Sequence, residues 1–190
     1  MLNIPYKIIL GSQSPRRREL LKMLDIPFES ISLNANEDFQ PDLHAQEIAE
    51  YLAEKKSMSY TLKENELLIT ADTIVWINNS VLNKPQNIQE ARAMLQLLSD
   101  NTHFVYTGVC IRTVYHTFIF SDESKVYFRK LSDDEINYYL EKYQPFDKAG
   151  SYGVQEWMGA SAITKIEGSY FNVMGLPTHL VYQHLKLFQR

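Results

Sequence analysis

One acidic residue interrupts the most apolar stretch of this chain of 190 residues. Asp72 lies within residues 67–77, where almost every neighbour has a side chain that favours burial. An ionised carboxylate in such surroundings is costly unless it is paired with a cation or bound to a metal. A structural ion pair and a position at a strand end are the alternatives. Because acids in unusual surroundings cluster at functional sites, we favour a functional carboxylate.

Three consecutive arginines form a second group that could do chemistry. Ser14 followed by Pro15 predicts a helix start, since a capping side chain precedes the imino acid tolerated at the first helical position. Residues 16–18 are then arginines in the first turn, where cations oppose the helix dipole by about 0.3–1 kcal/mol. Guanidinium groups beside the free N–H groups of a helix start indicate a site for phosphate or carboxylate. Three solvated arginines at an exposed helix end are the alternative.

Other charged residues extend this chemistry. Glu37 lies in a polar loop, and with Asp72 it would supply hard oxygen ligands for Mg²⁺ or Mn²⁺. Lys84 and Lys148 would add the positive charge that a triphosphate needs. Taken alone, each of these residues is more often a solvated surface group. Together, acids, a metal and several cations suit the attack of water on a phosphate ester or anhydride.

Several other classes of protein are disfavoured. The five histidines lack zinc-binding spacing, and the chain has no Walker A loop, GxGxxG turn or nucleophile elbow. A formal net charge of −4 argues against duplex nucleic acid as the main partner. The single cysteine, Cys110, is expected to be buried and fits a reducing compartment, so we expect a cytoplasmic protein. The first apolar run is too short for a signal peptide or membrane span, and we expect no membrane partner.

Strands and helices alternate along the chain, which predicts an α/β fold. The predicted strands share alternating or continuous apolar patterns and cover residues 6–10, 27–33, 67–77, 104–115 and 117–130. The predicted helices share apolar spacing or a capping pair, and they start at Ser14, cover 42–60, start at Asn87 and at Ser132, and cover 178–188. Residues 67–77 are expected to form a central strand buried on both faces. Residues 146–155 are predicted to be a loop, and Gly175 is expected to end a strand. Met23 is expected to lie on the apolar face of the first helix, together with Leu20, Leu21 and Leu24.

Six sequence blocks occur in order along most of the chain. They are SQSPRR with ELL in 12–21, ADTIV in 71–75, KP with EA and ML in 84–95, His103 with VYTG in 103–108, DKAGSYGVQ in 147–155, and GSY with NVMGLP in 168–177. One block alone would be a weak signal. Together they resemble the Maf family of nucleoside triphosphate pyrophosphatases.

This resemblance implies a fold and a reaction. The implied fold is an elongated α/β structure like that of inosine triphosphate pyrophosphatases, with two lobes flanking a deep cleft around a mixed, mostly antiparallel sheet. We therefore expect residues 1–190 to form a single domain of this kind. The implied reaction converts a nucleoside triphosphate to the monophosphate and pyrophosphate with a divalent metal, Mg²⁺, Mn²⁺ or Co²⁺. A homodimer is a further expectation from the family.

The resemblance also implies roles for individual residues. Asp72 matches the proton acceptor of the family. The positions that match its specificity determinants are Arg16, Thr73 and Gln155. The positions that match its other phosphate or metal contacts are Ser12, Arg17, Glu37, Lys55, Lys84 and Lys148. Lys56 departs from the family pattern, and we expect it to change only one helix face.

Gln155 bears on the choice of base. The block that ends at Gln155 resembles the subgroup that acts on dTTP and UTP, whereas the 7-methyl-GTP subgroup has glutamate there. A glutamine amide both donates and accepts, so it can pair with the O4 and N3–H edge of thymine or uracil. Two alternatives stay open: a nucleotide-binding regulator of cell division without turnover, and a purine triphosphate pyrophosphatase of the inosine or 7-methyl-GTP type.

Overall fold

A computed structural model describes residues 2–40 and 42–189. Within these residues the strands are β1 (Lys7–Gly11), β2 (Glu29–Ile31), β3 (Glu66–Ile77), β4 (Ser80–Leu82), β5 (Thr102–Arg112), β6 (Thr117–Phe128) and β7 (Ile163–Glu167). They form one mixed sheet in the order β2-β1-β3-β5-β6-β7, and β4 pairs with β3 off this path. Strand β1 runs parallel to β2 and β3, whereas β3–β4 and β6–β7 are antiparallel pairs.

The helices alternate with these strands, so the predicted α/β fold is confirmed. They are α1 (Pro15–Lys22), α2 (Ala45–Met58), α3 (Ile88–Leu98), α4 (Asp133–Tyr143), α5 (Trp157–Ala162), α6 (Tyr170–Met174) and α7 (Thr178–Leu185). Two short 3₁₀ turns cover Ala149–Ser151 and Lys186–Phe188. No helix in the described ranges is long and apolar enough to cross a membrane.

The starts of α1, α3 and α4 agree with the sequence because they depend on local chemistry, whereas α2, predicted over residues 42–60, covers Ala45–Met58. The Ser14 side chain accepts the Arg17 N–H at the start of α1, and Asn87 accepts the Glu90 N–H at the start of α3. Ser132 starts α4 with a complete capping box. Strand β3 is buried along almost its whole length, as its continuous apolar pattern predicts.

Two local predictions are wrong. A strand was expected to end at Gly175, but the segment before it is the short helix α6. The Ser169 hydroxyl accepts the Asn172 N–H, and the buried Asn172 amide donates to the Val105 carbonyl oxygen. These side-chain contacts outweigh the strand preference of the neighbouring residues. Met23 was expected on the apolar face of α1, but the helix ends before it and the residue is 61% exposed.

The chain divides into two compact units. The first contains the described residues up to Thr73, residues 107–122 and the described residues from Gly175 onwards. The second contains Ile74–Tyr106 and Glu123–Met174. Strands β3, β5 and β6 each have residues in both units.

Each unit has its own packing. In the first, α2 lies so close to β5 that a Cβ at Gly108 would be 2.2 Å from the Ala49 carbonyl carbon, so only glycine fits there. Cys110, also on β5, is buried as expected, and burial raises the pKa of its thiol. In the second, residues from α3, α4 and the sheet form one apolar core around the fully buried Tyr139 and Leu95.

Candidate functional site

Two neighbouring parallel strands position the first group of candidate residues. Leu10 on β1 lies opposite Ile69 on β3, so both strands lead into the same edge of the first unit. Ser12 follows β1 directly and is buried, and its hydroxyl accepts the Ser14 N–H at 3.2 Å. The arginine turn therefore begins at the same edge of the sheet toward which β3 runs, and β3 carries Asp72.

Arg17 joins this turn to β3. Its Nε donates to the Gly175 carbonyl oxygen at 2.8 Å, and one Nη donates to the Thr73 hydroxyl at 3.1 Å. The Thr73 hydroxyl is also 2.9 Å from that of Thr107. Burial lowers the pKa of Arg17 and the Asp72 carboxylate opposes that shift, but a guanidinium keeps its proton in proteins. Arg17 is therefore a fixed cation that orients Thr73.

Asp72 is paired with Lys56, a lysine outside the predicted site residues. The Lys56 ammonium donates to the Asp72 carboxylate and to the Glu37 carboxylate, at 2.9 Å from the latter. The side chains of Asp72 and Lys56 are only 11% and 16% exposed. Asp72 is buried, as its apolar strand predicts, and it is held in an ion pair, which was the alternative interpretation; its functional role stays a prediction. The expectation that Lys56 only changes a helix face is wrong, because the Lys56 ammonium forms ion pairs with both acids.

Helical spacing distinguishes Lys56 from its neighbour. Ala49 and Leu52 are buried on α2. Lys56 lies seven residues after Ala49 and four after Leu52, at the border of the same face. Lys55 points elsewhere: its ammonium donates to the Asp38 carbonyl oxygen at 2.7 Å and lies 5.5 Å from the Tyr51 ring. The structure thus places Lys56, and not Lys55, beside the two carboxylates. The periodicity of α2 was the signal that could have identified it.

Glu37 and Asp72 are the residues that could hold a metal. Among the described residues, no three His, Cys, Asp or Glu side chains gather closely enough to form a metal centre. The two carboxylates nevertheless converge on one cationic group, the Lys56 ammonium. Mg²⁺ is often held by one or two carboxylates, with waters and substrate phosphates completing its shell. The pair fits a metal that arrives with a phosphorylated ligand, and it does not fit a metal held by protein ligands alone.

The second unit contains the remaining candidates. Lys84 is exposed just after β4, and Gln155 is exposed at the end of the segment that precedes α5. The Lys148 side chain is only 9% exposed and pairs with Asp147 at 2.7 Å and Glu156 at 3.0 Å. This segment begins with the 3₁₀ turn, in which Gly150 and Ser151 have φ angles of +67° and +61°. The predicted loop is therefore tightly folded.

His103 has a structural role. It is buried, and its Nε2 lies 2.7 Å from the Tyr152 hydroxyl. Its ring packs edge-on against Phe128 and Tyr152. Burial lowers the pKa of His103 to about 3, so the imidazole is neutral at physiological pH. It supports the segment that leads to Gln155.

The candidates are divided between the two units. The first unit holds Ser12, Arg16, Arg17, Glu37, Lys55, Asp72 and Thr73, and the second holds Lys84, Lys148 and Gln155. Within the first unit, contacts link Arg17 to Thr73, and Lys56 links Glu37 to Asp72. Arg16 is half-buried in the same helical turn as Arg17.

Known proteins are similar to this chain over nearly its whole length. A dTTP/UTP pyrophosphatase of Porphyromonas gingivalis is 53% identical over 188 residues, which cover 96% of this chain and 94% of that protein. Proteins of the same name from Parabacteroides distasonis and Flavobacterium johnsoniae are 53% and 50% identical over 186 and 182 residues. These alignments cover 96% and 95% of this chain, and 96% and 94% of the two relatives.

The family comparison agrees with these relatives. The model described as "Maf-like protein" matches residues 7–188, a range that contains every candidate residue discussed above. The resemblance inferred from the six sequence blocks is therefore confirmed, and this chain belongs to the Maf family.

Proposed function

We propose that this protein hydrolyses dTTP and UTP to the monophosphate and pyrophosphate. The observation that carries the proposal is the buried Asp72 carboxylate, held by Lys56 and adjoined by the Arg17–Thr73 pair. The names of relatives at about half identity over nearly the full length support the same substrates.

In the proposed reaction a water molecule attacks the α-phosphorus. A bond forms between the water oxygen and phosphorus, the bond to the bridging oxygen of the β-phosphate breaks, and pyrophosphate leaves. Asp72 accepts the proton that the water loses. Lys56 offsets part of the negative charge around Asp72, which lowers the repulsion between this carboxylate and a polyphosphate.

Cations around the first helical turn would bind the phosphates. Arg16, Arg17 and the N–H groups at the start of α1 form a cationic end of the helix next to the buried Ser12. We propose Lys84 of the second unit as a further phosphate contact. Lys55 is the weakest member of the expected set, because its ammonium binds the Asp38 carbonyl oxygen.

A divalent metal fits this proposal. Glu37 and Asp72 would hold Mg²⁺, Mn²⁺ or Co²⁺, because their carboxylates both reach the same cationic group, the Lys56 ammonium. When bound, the metal would supply positive charge to the phosphate oxygens. The exposure of Glu37, whose side chain is 47% accessible, allows this carboxylate to move away from Lys56.

Thr73 and Gln155 are the residues that we propose for recognition. Thr73 is held by Arg17 and Thr107, so its hydroxyl has a defined orientation. The Gln155 amide can donate to O4 and accept from N3–H of uracil or thymine. A role in clearing unwanted pyrimidine nucleotides or in arresting cell division, a cytoplasmic location and a homodimer remain predictions that go with this activity.

The test is pyrophosphate release by wild type and by Asp72→Asn. We expect the variant to fold, to bind dTTP, and to lose turnover by about 10²- to 10⁴-fold, because it lacks the proton acceptor. Asp38→Asn is the matched control: its side chain is exposed and contacts Asn36, and activity should persist. Full turnover by Asp72→Asn would refute the proposal. Binding without turnover by the wild type would instead favour a nucleotide-binding regulator.

A further inference from the structure

Residues 148–155 form the segment that carries Lys148 and Gln155. One carboxylate, that of Glu156, binds this segment at its C-terminal end. Glu156 lies at the N-cap of α5, and its side chain is 19% exposed. One carboxylate oxygen accepts from the Tyr139 hydroxyl, and the other lies 3.0 Å from the Lys148 ammonium. Glu156 therefore ties α4 to both ends of the segment.

Tyr139 holds a second point of the same segment. Its ring is fully buried, and its hydroxyl accepts the Gly153 N–H at 3.1 Å while donating to Glu156. Burial, assisted by the Glu156 carboxylate, raises the pKa of Tyr139, so the phenol keeps the proton that it donates. The two bonds fix the residues on either side of Val154 and Gln155.

Gly153 brings the Gln155 amide against this carboxylate. A Cβ at Gly153 would lie 2.8 Å from Cδ of Glu156 and 3.0 Å from Nε2 of Gln155. The first distance is shorter than real Cβ contacts and the second is tight, so the ends of both side chains lie over the glycine. The Gln155 amide and the Glu156 carboxylate therefore both lie close to Gly153.

The contacts of Glu156 also affect whether Lys148 can bind a phosphate. Its ammonium is buried between the Asp147 and Glu156 carboxylates, so the local cluster contains one positive and two negative charges. An anionic phosphate would meet a net negative group there, and the ammonium would have to leave its partners. This arrangement suits a lysine that anchors the segment better than a lysine that binds a triphosphate.

We propose that Glu156 is a positioning residue for base recognition, which acts by locking Lys148, Tyr139 and the Gly153–Gln155 backbone in one arrangement. The proposal rests on the proposed function, because it concerns how Gln155 would read the pyrimidine edge. It differs from the sequence-based expectation for Lys148, which places that lysine on the phosphates.

The test is a double-mutant cycle with Glu156→Gln, Lys148→Met and the double variant. We expect each single variant to lower kcat/KM for UTP about tenfold, since a small misplacement of a recognition group is costly. The preference for UTP over CTP should fall in both, because these nucleotides share their ribose and triphosphate. The double variant should be no worse than either single variant.

Two results would contradict a positioning role for Glu156. If Lys148 binds the triphosphate, Glu156→Gln would free the ammonium and lower KM, and Lys148→Met would raise KM equally for UTP and CTP. Either result overturns the proposal. Glu135→Gln is the matched control, because it removes a carboxylate that pairs with Arg129 at the other end of α4. It should leave the UTP preference unchanged.

A second measurement needs no substrate. Hydrogen exchange of the Gly153 N–H should become faster in Glu156→Gln and in Tyr139→Phe, and unchanged exchange in both would contradict the proposed lock. If the wild type releases no pyrophosphate, the proposed function fails, whereas faster exchange would still show that Glu156 fixes the segment. Retained UTP turnover with an unchanged UTP preference in Glu156→Gln would refute the positioning role alone.

Discussion

Both units of this protein contain a lysine between two carboxylates, but the surroundings of the two lysines differ. In the first unit, Lys56 bridges Glu37 and Asp72, and in the second, Lys148 bridges Asp147 and Glu156. Glu156 is further bound by the Tyr139 hydroxyl, which comes from a buried helix position. Asp72 instead lies on a strand beside Thr73, which an arginine holds.

The difference shows that a set of charges does not define a function by itself. The Asp72 group has a guanidinium and a helix start in the same unit, so further anions are attracted there. The Glu156 group has an uncharged phenol as its other partner, the Tyr139 hydroxyl, which donates to Glu156 and itself accepts the Gly153 N–H. We accordingly assign chemistry to the first group and positioning to the second.

Among the substitutions that test this comparison, removal of Lys56 is expected to have the largest effect on turnover and stability. Lys56→Met leaves Asp72 with an uncompensated charge in a setting where its side chain is only 11% exposed. We expect turnover to fall about 100-fold and the free energy of unfolding to fall by roughly 2–4 kcal/mol, toward the range for broken buried pairs. Pyrophosphate release and urea unfolding measure the two effects.

The neighbouring lysine provides the matched control. Lys55→Met removes the same charge from the same helix but loses an exposed contact to a carbonyl oxygen and the approach of the ammonium to the Tyr51 ring. Its activity should remain within about threefold of the wild type, since exposed polar contacts contribute little. Equal losses in the two variants would show that α2 contributes general positive charge and no specific partner for Asp72.

Replacement of Arg17 is expected to have an intermediate effect. Arg17→Lys keeps the charge but cannot reach the Gly175 carbonyl oxygen and the Thr73 hydroxyl with one planar group. We expect kcat/KM to fall about tenfold with a change in base preference, because Thr73 loses its orienting partner. Nucleotide-panel kinetics measure this effect. A uniform loss across all bases would restrict Arg17 to phosphate binding.

The sequence predicts the parts of this site that depend on local pattern. Asp72 was identified because a carboxylate conflicts with its apolar strand, and the start of α1 was identified from Ser14 and Pro15. Lys56 was missed because the family resemblance selected Lys55, and the periodicity of α2, which distinguishes the two lysines, was not applied. The contact between Tyr139 and Glu156 joins residues 17 positions apart through tertiary packing, and no local pattern specifies it.

Removal of a third ion pair, between Arg129 and Glu135, is expected to have the smallest effect on stability. This pair is a reference for the ion pairs of Lys56 and Lys148. Arg129 donates twice to Glu135, and the two side chains are 37% and 29% exposed. The Arg129 guanidinium, followed by the Ser132 N–H, lowers the pKa of Glu135 to about 2. A lowered folded-state pKa stabilises the fold above pH 4.5, and this stabilisation disappears as the pH falls toward 2.

Glu135→Gln isolates that charge, because a glutamine oxygen can still accept the Ser132 N–H of the capping box. At pH 7 we expect a loss of about 0.2–1 kcal/mol, since solvent screens a pair as accessible as this one. The difference from the wild type should shrink below pH 4.5 in thermal unfolding measured across the pH range. A loss as large as that of Lys56→Met would mean that burial does not distinguish these ion pairs, and the contrast between the Asp72 and Glu156 groups would then have to rest on their hydrogen-bond partners alone.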